Sequence, residues 1–484
     1  MNKEILELEP KVVWKNFSKL NAVPRPSKKE ERVIQFAMDF GKSLGLETFK
    51  DEVGNVIIRK PATTGMENRK MITLQSHLDM VHQKNNDTVF DFETQGIDML
   101  AEDDWVKAKG TTLGADNGMG VAAILSLLES TSIPHPPLEA LFTIDEETGM
   151  TGAQGLKPGV LQGEILLNLD TEEDDEIDIG CAGGIDITAS CTYPEIATPT
   201  NSSAYKVVVK GLQGGHSGMD IHKGLGNANK IMNRLLLSSV NSHNIGIAKI
   251  DGGSLRNAIP RESVSLIVVS EENKTAFVRD FEALASEIKR EFAIVEKQMQ
   301  LELEVVTLPE TIMDPSIQNK VLRAIYAAHN GVYLMSTAIP DLVATSNNIA
   351  RVRIGDGNIH IGCLTRSSIE SSKNDLATSL QSAFELAGCE IRLSGEYPGW
   401  QPNPKSAILK ILTEQYTSLF NEKPKVVACH AGLECGILGQ HYPNLDMISF
   451  GPTIKGAHSP DERVSISSVQ KFWKYLLEIL KNTP

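Results

Sequence analysis

The chain has 484 residues, 41% of them apolar and 23% charged. That balance excludes a disordered polymer, and at roughly 150 residues per domain it excludes a single small core. Acidic residues outnumber basic ones by 62 to 47, a formal net charge of −15, which argues against a nucleic-acid partner because phosphate neutralisation needs clustered Lys and Arg.

The opening MNKEILELEPKVVWKNF carries acidic residues where a secretory leader would be apolar. No apolar run approaches the roughly 18 residues that span a bilayer. The expectation is a cytoplasmic protein with no membrane partner. Six scattered cysteines without a C-x-x-C pair predict buried thiols in a reducing compartment rather than a disulfide framework.

Residues 10–20 and 28–44 have helical spacing. Val33, Ile34, Phe36, Ala37 and Phe40 line one face of the second, and Ser27 with Glu30 resembles a capping box at its start. Residues 55–59 and 71–74 look like strands. Residues 118–128 form a helix of small and aliphatic residues, and 138–144 and 164–169 read as further buried strands. Strands interleaved with helices predict an α/β layered core.

The texture changes near residue 186. Strands are expected at 187–192, 205–209, 248–250 and 264–269, with helices at 225–238 and 274–297. A similar order recurs after residue 300: a strand at 301–307, a helix at 316–329, strands at 348–354 and 359–363, and a helix at 372–387. The segment PGWQPNP at 398–404 reads as a linker, and a helix at 467–481 closes the chain. The predicted organisation is a discontinuous α/β catalytic domain with a mixed sheet, residues 1–186 and 398–484. An α+β lid is inserted at 187–397, with two similar lobes at 187–298 and 299–397.

Several short segments carry candidate chemistry. His77 and Asp79 in Ser76-His77-Leu78-Asp79 are two apart after a strand, so both can face one cavity, with the carboxylate orienting the imidazole. Asp116, in Gly114-Ala115-Asp116-Asn117-Gly118, is an ordinary turn or N-cap residue or a ligand whose two oxygens bridge two cations. In Asp145-Glu146-Glu147-Thr148-Gly149, three adjacent carboxylates are either a solvated loop or a place where one Glu binds metal and its neighbour holds a proton. Asp170 ends a strand and leads into the acidic run 172–176. His458 lies in the loop Gly456-Ala457-His458-Ser459-Pro460. Each segment alone has a bland explanation. Together they supply two His and three carboxylates, mostly at strand ends, a donor set that suits Zn(II).

The ordered set S-H-L-D, G-A-D-N-G, D-E-E-T-G, an Asp after a strand and a late G-x-H-S-P resembles the dinuclear zinc peptidase family of aminopeptidases, carboxypeptidases, aminoacylases and dipeptidases. The resemblance runs along the whole chain and implies two Zn(II) per subunit, with Co(II) or Mn(II) as substitutes. It implies that Asp116 bridges the ions, that His77 and Asp170 complete one site, and that Glu147 and His458 complete the other. Asp79 orients His77, and Glu146 is the general base that takes a proton from the attacking water and returns it to the leaving amine.

The same resemblance assigns His216, in Gly214-Gly215-His216-Ser217-Gly218, to the oxyanion, in cis or across a homodimer. It makes Asn257 a substrate contact. Arg366 is a candidate for the substrate's terminal carboxylate and Glu434 for its free amine, and each equally suits a structural charge. The implied reaction is hydrolysis of unblocked dipeptides, including Xaa-His dipeptides such as carnosine. The alternatives are an N-acyl amino-acid deacylase or carboxypeptidase of the same family, and a metal-binding protein without catalysis.

Overall fold

The structure, a computed structural model, describes residues 3–85 and 87–484. It divides into two compact units, one made of residues 1–180, 400–428 and 433–484, the other of 181–399 with 429–432. The fold is mixed α/β.

The first unit is built on a mixed sheet. Ile72–His77 lies at its centre, parallel to Leu138–Thr143 on one side and to Ile165–Asn168 on the other, and Asp446–Ser449 continues the parallel set. Val56–Lys60 and Glu47–Lys50 extend the sheet antiparallel beyond Leu138–Thr143. Every residue of Ile72–His77, Leu138–Thr143 and Ile165–Asn168 is buried. Parallel strands covered on both faces read as continuous apolar runs, which is why these segments stand out in the sequence. The helix Ala115–Glu129 is buried along nearly its whole length. It packs on Ile72–His77 and on the helix Lys11–Asn21.

The second unit is built on a nine-stranded antiparallel sheet with four helices, Ala228–His243, Lys274–Glu291, Pro315–Ala327 and Glu370–Glu385, and carries two short two-stranded ladders, Glu195–Ala197 with Thr311–Met313 and Gly215–His216 with Ala258–Ile259. Residues from all four helices share one apolar cluster with the sheet. Alternation is visible along Ser202–Lys210: Val207 and Val209 enter that cluster, while Lys206 and Lys210 face away and pair with Glu304 and Glu302. Pairing order departs from chain order. Gly183–Thr192 lies between Asn358–Ser367 and Glu390–Tyr397, and Gln300–Val306 pairs with Ser202–Lys210.

Two local expectations are corrected. The helix Glu31–Ser43 has Glu30 as its N-cap, with no side-chain cap bond. Ser27 instead gives its hydroxyl to Asp79 Oδ2 at 2.8 Å, so no capping box forms. Cys191 and Cys389 are joined as a disulfide, their Cα atoms 4.6 Å apart. They stand opposite each other on neighbouring strands, one step beyond the Ser190–Glu390 pair. Among the described residues, no helix is long and apolar enough to cross a membrane.

Candidate metal centre

The three central parallel strands end on the same edge of the sheet, where loops gather side chains from distant parts of the chain. His77 is the last residue of Ile72–His77, and the turn 145–147 follows Leu138–Thr143. Asp170 lies two residues past Ile165–Asn168. Asp116 sits at the start of Ala115–Glu129, where it and Asn117 have non-helical dihedral angles. Asn117 Nδ2 donates to Leu169 O at 2.6 Å, tying that loop to the strand that leads to Asp170. His458 lies between the short strands Ile454–Lys455 and Arg463–Ser465, with a left-handed φ of 63°.

Asp116 presents one oxygen to each imidazole. Its Oδ1 is 3.2 Å from His77 Nε2, and its Oδ2 is 3.2 Å from His458 Nε2. His77 Nε2 is also 3.6 Å from Asp170 Oδ1, and His458 Nε2 is 3.0 Å from Glu147 Oε2. The candidate ligands thus form two triads sharing Asp116: His77–Asp116–Asp170 and Asp116–Glu147–His458. Glu146 joins His77 and Glu147 in a third grouping.

Asp79 is fully buried and serves both sides of the cluster. Its carbonyl oxygen and its Oδ1 lie 3.2 and 3.3 Å from His77 Nδ1. Its carboxylate accepts the backbone N–H groups of Glu146 at 3.0 Å and Glu147 at 3.3 Å. Of the three adjacent acids, Asp145 is used locally. It accepts the hydroxyls of Thr148 and Thr151 and holds a left-handed φ of 54°. Only Glu146 and Glu147 remain for chemistry.

The residues fit a pair of divalent cations. Two ligands bound at roughly 2.0–2.1 Å in a tetrahedron stand about 3.4 Å apart, and the four separations above span 3.0–3.6 Å. Glu147 Oε1 and Asp170 Oδ1 are buried without a hydrogen-bond partner. Burial pushes Glu146 well above the usual carboxylate range, and Glu147 and Asp170 upward with it. Hydrogen bonds to Asp116 and Glu147 push His458 up to about 11. Buried carboxylates gathered around two imidazoles leave an excess of negative charge that cations would balance. All the donors are N or O, and no cysteine is among them.

The acidic run 172–176 divides. Glu173, Asp174 and Asp175 pair with Lys455, Lys471 and Lys425. Glu172 is pushed up to about 8, by burial first and then by Asp116. Glu434 is fully buried. Its Oε2 accepts from Thr143 Oγ1 at 2.6 Å and Gln75 Nε2 at 2.7 Å, and its Oε1 has no partner.

In the second unit, His216 Nδ1 accepts the backbone N–H groups of Gly218 and Met219 at 3.2 and 3.0 Å. Its proton is therefore on Nε2, 3.5 Å from Arg366 Nη2. Neither atom can accept, so two donors converge as at an anion site. Burial, reinforced by Arg366, lowers His216 to about 4 and keeps it neutral. Arg366 also donates to Tyr397 Oη at 2.7 Å and Ser217 Oγ at 3.4 Å. Asn257 is exposed, and its backbone carbonyl accepts from Ser217 N at 2.7 Å. His430, unassigned by sequence, is buried and bonds through Nε2 to Ser346 Oγ at 2.8 Å.

A sequence profile of peptidase family M20/M25/M40 matches residues 73–482, a span that holds all five candidate ligands. The chain belongs to peptidase family M20/M25/M40. It is a hydrolase of peptide bonds. It is 44% identical to the cytosol non-specific dipeptidase of Escherichia coli (strain K12) over 481 residues, 99% of each chain. Its structure resembles the crystal structure of aminoacylhistidine dipeptidase from Vibrio alginolyticus, with a TM-score of 0.94 and 43% identity over 100% of this chain and 99% of that one. The aminopeptidase PepT of Bacillus cereus, 15% identical over 98% of each chain with a TM-score of 0.57, shares the fold alone.

Proposed function

We propose that the protein is a cytoplasmic zinc-dependent dipeptidase that hydrolyses unblocked dipeptides, Xaa-His dipeptides such as carnosine among them, and works as a homodimer. The observation that carries this reading is the pair of triads around Asp116, each N···O separation close to the edge of a zinc coordination tetrahedron. Full-length similarity to two dipeptidases supports the substrate class.

His77 with Asp170 and His458 with Glu147 would hold one Zn(II) each, with Asp116 shared. Bound there, the ions supply Lewis acidity toward the scissile carbonyl and toward water. Glu146 takes the proton of the attacking water and delivers it to the leaving amine. It suits that task because Asp79 holds its backbone while its side chain is needed by neither triad. Asp79 fixes the ring of His77.

In the second unit, which we read as a two-lobed lid, the Nε2–H of His216 donates to the oxyanion and Arg366 binds the terminal carboxylate. Asn257 is a further substrate contact. The unpartnered oxygen of Glu434 is assigned to the substrate's ammonium group. Recognition of both ends of a short substrate would exclude longer peptides.

The test pairs metal analysis with a substrate panel on chelated and zinc-restored protein. Restored protein is expected to carry two Zn(II), to cleave free dipeptides and to be slow on their amides and on tripeptides. Equal rates on all three would remove two-ended recognition. Metal uptake without hydrolysis of any dipeptide would leave only a metal-binding protein.

A further inference from the structure

Two buried charged residues outside the candidate ligand set grip the loop that carries Asp116. Glu462, 2% exposed, accepts four successive backbone N–H groups. Leu113 and Gly114 donate to Oε2 at 2.7 and 2.9 Å, and Ala115 and Asp116 donate to Oε1 at 2.7 and 3.2 Å. Arg25, 1% exposed, holds carbonyls of the same region. Its Nη2 donates to Gly114 O at 2.5 Å, and its Nη1 donates to Leu78 O and Asp79 O at 3.1 and 3.0 Å.

Arg25 thus joins the loop of Asp116 to the turn after His77. Glu462, four residues past His458, joins the same loop to the segment that carries the second imidazole. The glycines of Gly114-Ala115-Asp116-Asn117-Gly118 make room for this. A Cβ on Gly114 would come 2.5 Å from Arg25 Nη2, and one on Gly118 would come 2.7 Å from it.

We propose that Arg25 and Glu462 are positioning residues for the metal centre, a clamp of opposite charges that sets Asp116 between His77 and His458. The inference rests on the reading of the cluster as a metal centre. A bridging carboxylate must aim its two oxygens in two directions at once, so an error in its backbone is felt at both ions. Backbone N–H groups held by a carboxylate, and carbonyls held by a guanidinium fork, are directional and charge-assisted. Buried outer partners of this kind typically contribute a factor of 10–100 in metal affinity.

The experiment compares Glu462→Gln and Arg25→Lys with Glu139→Gln in the full chain. Glu139 is another buried carboxylate that accepts backbone N–H groups, those of Gln162 and Gly163. It lies at the far end of the strand that leads to Glu146. Zinc affinity is read by competition with a chromophoric chelator, and folding by the cooperative melt of the chelated protein.

Glu462→Gln and Arg25→Lys are expected to lose about 10–100-fold in zinc affinity while the chelated proteins still melt cooperatively. Glu139→Gln is expected to lower the melting temperature and leave affinity within about twofold. Wild-type affinity in both clamp variants overturns the proposal. An equal loss of affinity in Glu139→Gln also overturns it, because the effect would then be general softening. If Glu462→Gln does not fold, Arg25→Lys decides alone, and failure of both to fold makes the pair core structure and overturns the proposal. A wild-type protein that takes up no zinc removes the metal centre itself, which is a distinct result.

Discussion

The backbone N–H of Glu146 donates to Asp79 Oδ1 at 3.0 Å, so the residue that flanks the His77 ring also anchors the turn of the proposed base. Asp79→Asn keeps the size of the side chain but removes its charge and places an amide group against Ser27 or the backbone N–H groups of Glu146 and Glu147. Zinc affinity is expected to fall about 10–100-fold, with a further loss of kcat at saturating zinc because Glu146 is no longer held. Atomic absorption after dialysis, together with kcat at rising zinc, checks both parts. Full recovery of kcat with added metal would show that Asp79 acts on His77 alone.

Glu146→Gln separates binding of metal from turnover. The amide retains the shape but cannot accept the proton of the attacking water. Two zinc ions per chain are expected to remain, while kcat on a free dipeptide falls about 10²–10⁴-fold. A variant with near wild-type kcat would falsify the assignment of the base.

Parts of this molecule were legible in the sequence for physical reasons. Leu138–Thr143 and Ile165–Asn168 are covered on both faces, so they appear as unbroken apolar runs, and the polar residues that follow mark the edge where the ligand candidates gather. Arg25 and Glu462 left no such trace. Apart from Asn21 Oδ1, which accepts from Arg25 Nη2 at 3.1 Å, the partners named for them are backbone groups, and a charge that binds main chain needs no partner residue at a fixed spacing. Ser27 and Glu30 show the opposite failure, a spacing that suggests a capping box although the Ser27 hydroxyl serves Asp79 fifty-two residues away. The Cys191–Cys389 bond depends on a cross-strand register between Gly183–Thr192 and Glu390–Tyr397. Pairs so distant along a chain carry no local signature.

The convergent donors His216 and Arg366 are expected to fail in different ways. Removing Nε2–H with His216→Ala takes away a donor to developing charge, so kcat should drop about 10²–10³-fold with little change in KM. Arg366→Lys replaces a planar fork by a point charge. It should raise KM for a free dipeptide about 10–100-fold, and much less for the C-terminal amide, which lacks the carboxylate. Steady-state kinetics on both substrates distinguishes the roles. An equal KM change on acid and amide would mean that Arg366 does not meet the carboxylate.

His430 supplies a pH prediction away from the metal ligands. Burial lowers it to about 3, with Arg366, His216 and His222 adding repulsion. In the unfolded chain an imidazole titrates near 6.5. Below that value the unfolded state binds a proton that the folded state refuses, so stability is present above about pH 6.5 and is lost as pH falls toward 3, by up to about 1.4 kcal/mol per pH unit. His430→Gln keeps a hydrogen-bond partner for Ser346 without a titrating ring. Thermal melts from pH 7 to pH 4.5 should therefore fall less steeply for the variant than for the wild type. Parallel curves would mean that His430 gains its proton without cost, and that the ring is not held neutral by its surroundings.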